Sequence, residues 1–150
     1  MRRLIFLLGF VLAATLGWAN LSFGQTDAGL AQGEELAAAG DIKGALQVYE
    51  GLTKAQPESS EAYARLGGMQ LLDQHYADAV KSFQRAITLG DNGTRSFIGM
   101  GMAYLHMGAM GPARAAFVEA RSRGVADRKD VDNIIAWIDG RDGDLPPSVH

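Results

Sequence analysis

The chain has no cysteine, which excludes disulfides, thiolate metal sites, thiol nucleophiles and a lipid-modified N-terminal cysteine. Stability has to come from packing alone. A basic cluster is missing too: 14 Lys and Arg are scattered among 17 Asp and Glu for a net charge of −3. Without such a footprint for a phosphate backbone, nucleic acid is not an expected partner. The signatures of common chemistries are absent as well: there is no G-x-S-x-G elbow, phosphate-binding glycine loop or H-E-x-x-H. His75, His106 and His150 fall in a turn, on a helix and in a tail, with no shared ligand spacing. Asp73, His75 and Asp78 are near enough in sequence to clamp an ion, yet solvated turn residues account for them equally well. Glu34-Glu35 sits at an exposed helix start, where acids favour the positive end of the helix dipole. No catalytic residue, cofactor or metal is expected, and the chain reads as non-enzymatic.

What is present begins with an amphiphilic N-terminus. Arg2-Arg3 precedes an apolar run from Leu4 to Ala19, and no further charge occurs before Asp27. Residues 1–24 therefore read as a signal peptide or an N-terminal transmembrane anchor. Ser22 and Gly24 have the small-residue spacing that a peptidase cutting after Gly24 requires. Against cleavage, Leu4 to Phe23 is about long enough to cross a bilayer, with Trp18 placed like an interfacial aromatic. No polar stretch precedes the arginine pair, so the general secretory route fits better than twin-arginine export. Both readings keep Arg2 and Arg3 in the cytoplasm and put the folded part in the periplasm or another extracytoplasmic space, soluble after cleavage or held at the inner membrane. Losing that segment would remove two arginines and no acid, taking the net charge from −3 to −5.

Past Asp27 the same residue types return at a fixed interval of 34. Ala45, Ala79 and Ala113 form one column, Gly33, Gly67 and Gly101 a second, and Tyr49, Phe83 and Phe117 a third. Three columns in phase define a repeat of helix-hairpin length. The second repeat carries Tyr63, Leu66-Gly67, Ala79, Phe83 and Ala86, and the third Phe97, Gly101, Tyr104, Ala113, Phe117 and Ala120. The first is weaker at its start, with Gly29 and Leu36 where aromatics would stand, but its second half keeps Ala45, Tyr49, Leu52 and Pro57. The pattern resembles the tetratricopeptide repeat (TPR) over Asp27 to Val125. The resemblance implies an all-α fold, an α-solenoid of three TPR helix hairpins plus a C-terminal capping helix.

The expected TPR domain spans 25–139, with repeats at about 26–59, 60–93 and 94–127. Apolar residues at helical spacing, such as Ala79, Val80, Phe83, Ala86 and Ile87, mark amphipathic helices. Turns are expected at Gly40-Asp41, Asp73-Gln74-His75 and Gly108-Ala109 within hairpins, and at Gln56-Pro57-Glu58 and Gly90-Asp91-Asn92-Gly93 between them. Ser59 or Ser60 suits an N-cap, and Pro112 suits a first helical turn. Gly67 and Gly101 lie mid-helix, where each costs about 1 kcal/mol against Ala, so close helix contact is the expected compensation. Val131, Ile134, Ile135 and Ile138 form one apolar stripe, which predicts a capping helix over 128–139 with Asp130, Asp132 and Asp139 on its solvated side. Residues 140–150, with Asp142-Gly143-Asp144 and Pro146-Pro147, lack periodicity and read as a flexible tail.

In the family the first helix of each hairpin lines a concave groove. That geometry implies groove positions at Leu30, Glu34 and Ala37, then Ala64, Gly68 and Leu71, then Ile98, Met102 and Leu105, with Arg65, Arg95 and His106 at the edges. Family members that grip a carboxyl terminus place Lys, Asn and Arg at set groove positions, several of which are Ala64, Gly68, Ile98 and Met102 here. An amphipathic helix or an extended apolar segment suits this groove better. The expected role is a protein-binding adaptor or scaffold of the cell envelope. The alternative is an accessory subunit of a membrane complex, anchored through the N-terminal segment. Self-association through exposed terminal faces is a further option. Asn92-Gly93-Thr94 matches a glycosylation acceptor, of consequence only in a eukaryotic secretory host.

Overall fold

The computed structural model describes residues 27–126 and 128–142; the N-terminal apolar run assigned to a signal or anchor, and residues 143–150, lie outside them. Every regular element among the described residues is a helix: α1 (27–38), α2 (Ile42–Ala55), α3 (Ser60–Leu72), α4 (Tyr76–Thr88), α5 (Thr94–His106), α6 (Met110–Ser122) and α7 (Arg128–Asp142). The helices pack as sequential hairpins. Contacts divide the chain into two units, 1–56 with α1 and α2, and 57–150 with α3 to α7.

Local chemistry places the helix ends. Asp41 caps α2 by accepting from the Gly44 N–H at 2.9 Å, and Ser59 caps α3 by accepting from the Ala62 N–H at 3.2 Å. Pro112 lies in the first turn of α6, where its missing N–H would have had no helical partner. Each hairpin turn needs a left-handed residue, at Gly40 (φ 80°), Gln74 (φ 64°) and Gly108 (φ 73°). Glycine meets that need without strain in two of the three.

The glycine and aromatic columns face each other across the hairpins. A Cβ at Gly33 would lie 2.5 Å from Tyr49 Cε1, one at Gly67 2.9 Å from Phe83 Cδ1, and one at Gly101 2.9 Å from Phe117 Cζ. Those separations are too short for carbon atoms, so each ring packs directly on helix backbone. Tyr49, Phe83 and Phe117 are accordingly fully buried. In the second unit Ser82 Oγ donates to Gln70 Oε1 at 2.6 Å, a bond between α3 and α4 that satisfies the buried Ser82 hydroxyl. Phe83 also abuts Gly99 of α5, so one ring joins two successive hairpins.

The C-terminal helix covers the last of these rings: Val131, Ile135 and Ile138 form one buried cluster with Ala113 and Phe117. Two expectations about this region need correction. α7 continues through Gly140 to Asp142, past the point where the tail was expected to begin. Asp132 and Asp139 are not a purely solvated face but ion-pair with α6, Asp139 with Arg114 and Asp132 with Arg121 at 3.2 Å. Apolar periodicity locates the buried stripe of a helix but not which flanking acids a neighbour's arginines will reach.

The hydrogen bond from Arg114 holds the Asp139 carboxyl below its usual 3.8, against a smaller opposing desolvation. A folded-state pKa below the unfolded one stabilises at and above the ordinary carboxylate range and ceases to do so as pH falls through the depressed value. The melting-temperature difference between wild type and Asp139→Asn should therefore be largest near neutrality and vanish in strong acid. A difference independent of pH would show that the pair does not tie α7 down.

Candidate functional site

The second unit carries an apolar cleft where α3 and α5 meet. Ala64, Gly68 and Leu71 recur at helical spacing on one face of α3, and Arg95, Ile98, Gly99 and Met102 on one face of α5. These faces, with Phe83 beneath them and Val125 and Ala126 from the α6–α7 connection, enclose about 550 Å³. The depression exists because its deepest positions have almost no side chain. A Cβ at Gly68 would meet nothing within 4 Å, so the cleft reaches the α3 backbone there. Its walls are adaptable: Ile98 and Met102 are half-buried and rest on the Phe117 cluster.

The cleft runs on into a polar recess of about 330 Å³ that shares Ala64, Thr94 and Arg95 and adds Glu61, Asp91 and Gly93. The Asp91 carboxylate accepts from the Gly93 N–H at 2.8 Å and from the Ser96 hydroxyl. Arg95 is exposed there and has no ion pair, hydrogen bond or ring contact through its side chain among the described residues. Every other described arginine is engaged. Arg65 pairs with Glu61, Arg85 with Glu58, Arg114 with Asp139, Arg121 and Arg128 with Asp132, and Arg123 with Glu119, while Arg141 lies over Trp137. Among the described arginines, Arg95 at the cleft mouth is thus the one whose side chain is left available to a ligand.

Of the groove residues expected from sequence, the cleft brings together Ala64, Gly68, Leu71, Arg95, Ile98 and Met102. It leaves out Arg65, whose guanidinium goes to Glu61 at 2.6 Å, and Leu105, which packs on the Phe117 cluster. His106 is also outside it, stacked on the Tyr76 ring at a centroid distance of 4.6 Å. Leu30 is half-buried and Glu34 exposed on α1, in the other unit. The turn acids expected near His75 divide, Asp73 pairing with His75 at 3.0 Å and Asp78 with Lys81 at 2.9 Å. Phe83, which the repeat register marked only as a packing ring, also lines the cleft, and Thr94, Gly99, Val125 and Ala126 are cleft residues that the register did not single out.

A second hollow of about 640 Å³, lined mainly by Ile87, Phe97, Met100, Tyr104, Pro112 and Ala115, lies between α4, α5 and α6. It is the more open of the two, and its polar rim is already engaged. Gln84 donates to the Tyr104 hydroxyl, and Arg123 pairs with Glu119 while lying 4.5 Å over the Phe97 ring.

No known protein family matches the sequence, and no curated protein does. Solved structures do. The TPR2B domain of yeast Sti1, in complex with pHsp70, superposes with a TM-score of 0.72 at 16% identity over 77% of this chain and 97% of that one. The type III secretion chaperone SycD of Yersinia enterocolitica, with a peptide of the translocator YopD, gives 0.72 at 14% identity over 77% and 93%. A type III secretion complex from Aeromonas hydrophila gives 0.76 at 12% identity over 81% and 85%. Likeness at these identities shows the fold: TPR-like helical repeats. Among the described residues no helix is long and apolar enough to cross a membrane.

Proposed function

We propose that this chain is a non-enzymatic adaptor that holds an apolar segment of a partner protein in the α3–α5 cleft. The observation that carries the reading is the cleft itself: a floor reduced to Ala64, Gly68, Gly99 and the Phe83 ring, apolar walls, and an unengaged arginine at the mouth. Two proteins of like fold support it, since Sti1 and SycD were each captured with a bound partner or peptide. The ligand that fits presents a bulky apolar side chain to the depression over Gly68 and an acidic residue to Arg95. Recognition involves no chemistry. Rings packed on backbone pre-form the cleft, so the ordering cost of binding falls on the partner segment. The basic start and the apolar run from Leu4 to Ala19 support export, and we infer that the adaptor works outside the cytoplasm, at or near the inner membrane.

Peptides selected from a random display library against the full-length chain test this reading. They should share an apolar residue flanked by an acid. Arg95→Glu should weaken them by about tenfold at low ionic strength, with the loss shrinking as salt is added. Exchanging the peptide's acid for lysine should restore binding to Arg95→Glu. Peptides that bind both forms equally would remove Arg95 from the site.

A further inference from the structure

The α4–α5 connection contains an Asn-Gly pair, Asn92-Gly93, with both residues exposed. In such a pair the glycine lacks the side chain that would hinder its backbone nitrogen from reaching the asparagine side-chain carbonyl. Attack forms a bond from Gly93 N to Asn92 Cγ and breaks the bond from Cγ to the amide nitrogen. Ammonia leaves, carrying the proton from Gly93 N, and a succinimide ring remains. Water opens the ring at one carbonyl or the other and yields aspartate or isoaspartate. Water is the only reactant consumed, and nothing is oxidised or reduced.

The structure restrains the first step. The Gly93 N–H donates to Asp91 Oδ1 at 2.8 Å, and the other carboxylate oxygen accepts from Ser96, a fully buried residue of α5. A charged acceptor holds the proton that must be lost, and its negative charge opposes a second anion on the adjacent nitrogen. The product, by contrast, is well accommodated. Gly93 is the N-cap of α5, supplies no side-chain cap, and is followed by a first turn without an acid. A carboxylate at position 92 would meet the positive end of that helix.

We propose that Asn92 is a latent deamidation site restrained by Asp91, whose conversion adds a negative charge between Asp91 and Gly93, two residues that line the polar recess with Arg95. The chemistry stands independently of the adaptor reading. Only the consequence, competition with a partner's acid for Arg95, rests on it.

The test is to incubate the full-length chain in detergent at mildly alkaline pH, mapping peptides by mass spectrometry and scoring isoaspartate with an isoaspartyl methyltransferase. Asn133, followed by the β-branched Ile134, serves as the internal comparison. Asp91→Ala should convert Asn92 about tenfold faster than wild type. Ser96→Ala, which keeps the carboxylate on Gly93, should be clearly slower than Asp91→Ala, and adding Gly93→Ala to Asp91→Ala should suppress the reaction. If Asp91→Ala loses its helical circular dichroism, Asp91→Asn takes its place and should also exceed the wild-type rate. A substituted Asp91 at the wild-type rate, or Ser96→Ala as fast as Asp91→Ala, overturns the proposal. Peptide binding measured on aged and fresh protein then tests the consequence separately.

Discussion

Phe83→Ala is expected to cost the second unit about 3–5 kcal/mol, a large part of the total stability of a small domain. The reason is specific to this site. Phe83 is buried, and its ring lies against Gly67 on one helix and Gly99 on another, so the truncated residue leaves a void lined by backbone. Neither glycine has a side chain that could move in to fill it, and the helices cannot close up without disturbing both hairpins. Chemical denaturation followed by circular dichroism would show a lower midpoint at nearly unchanged slope. A loss below about 1 kcal/mol would mean that the hairpins are joined by something other than this ring.

Gly68→Arg is expected to uncouple binding from folding. Gly68 lies inside α3, where arginine has the better helix propensity by somewhat under 1 kcal/mol, and a Cβ there meets no neighbour. The variant should therefore be at least as stable as wild type. The added side chain projects where a ligand would sit, and selected peptides should lose about a hundredfold in affinity. This substitution is a cleaner probe than Ile98→Asp or Met102→Asp, because Ile98 and Met102 also rest on the Phe117 cluster and a charge there would strain the core. Gly68→Arg that unfolds the protein, or that binds normally, would contradict the cleft assignment.

Much of the fold was legible because one physical requirement recurs at a fixed interval. A ring packed on backbone needs a glycine opposite it, and Gly33 with Tyr49, Gly67 with Phe83 and Gly101 with Phe117 repeat that pair in register. Turns were legible for a related reason, with Gly40 and Gly108 at left-handed positions; Gln74 takes the same backbone conformation without that signal. The cleft was legible only in part. Ala64, Gly68, Ile98 and Met102 follow from helical spacing once the hairpins are known. Gly99 stands at a position that the preceding repeat fills with Arg65, so no column marks it, and its partner ring comes from the hairpin before. Val125 and Ala126 lie at the very end of the last repeat, beyond its final marked residue Ala120, so no column points to them. An acid stands four residues before each arginine, Glu61 before Arg65 and Asp91 before Arg95. Glu61 lies on α3 and reaches Arg65, whereas Asp91 precedes α5 and its carboxylate accepts from Gly93 and Ser96, a difference the spacing alone does not reveal.

The adaptor account is tested most directly by chemical-shift mapping of a display-selected peptide on isotope-labelled protein. The account predicts perturbations centred on Ala64, Gly68, Ile98 and Met102, extending to Arg95. Perturbations centred instead on Ile87, Met100 and Pro112, in the hollow between α4, α5 and α6, would contradict it.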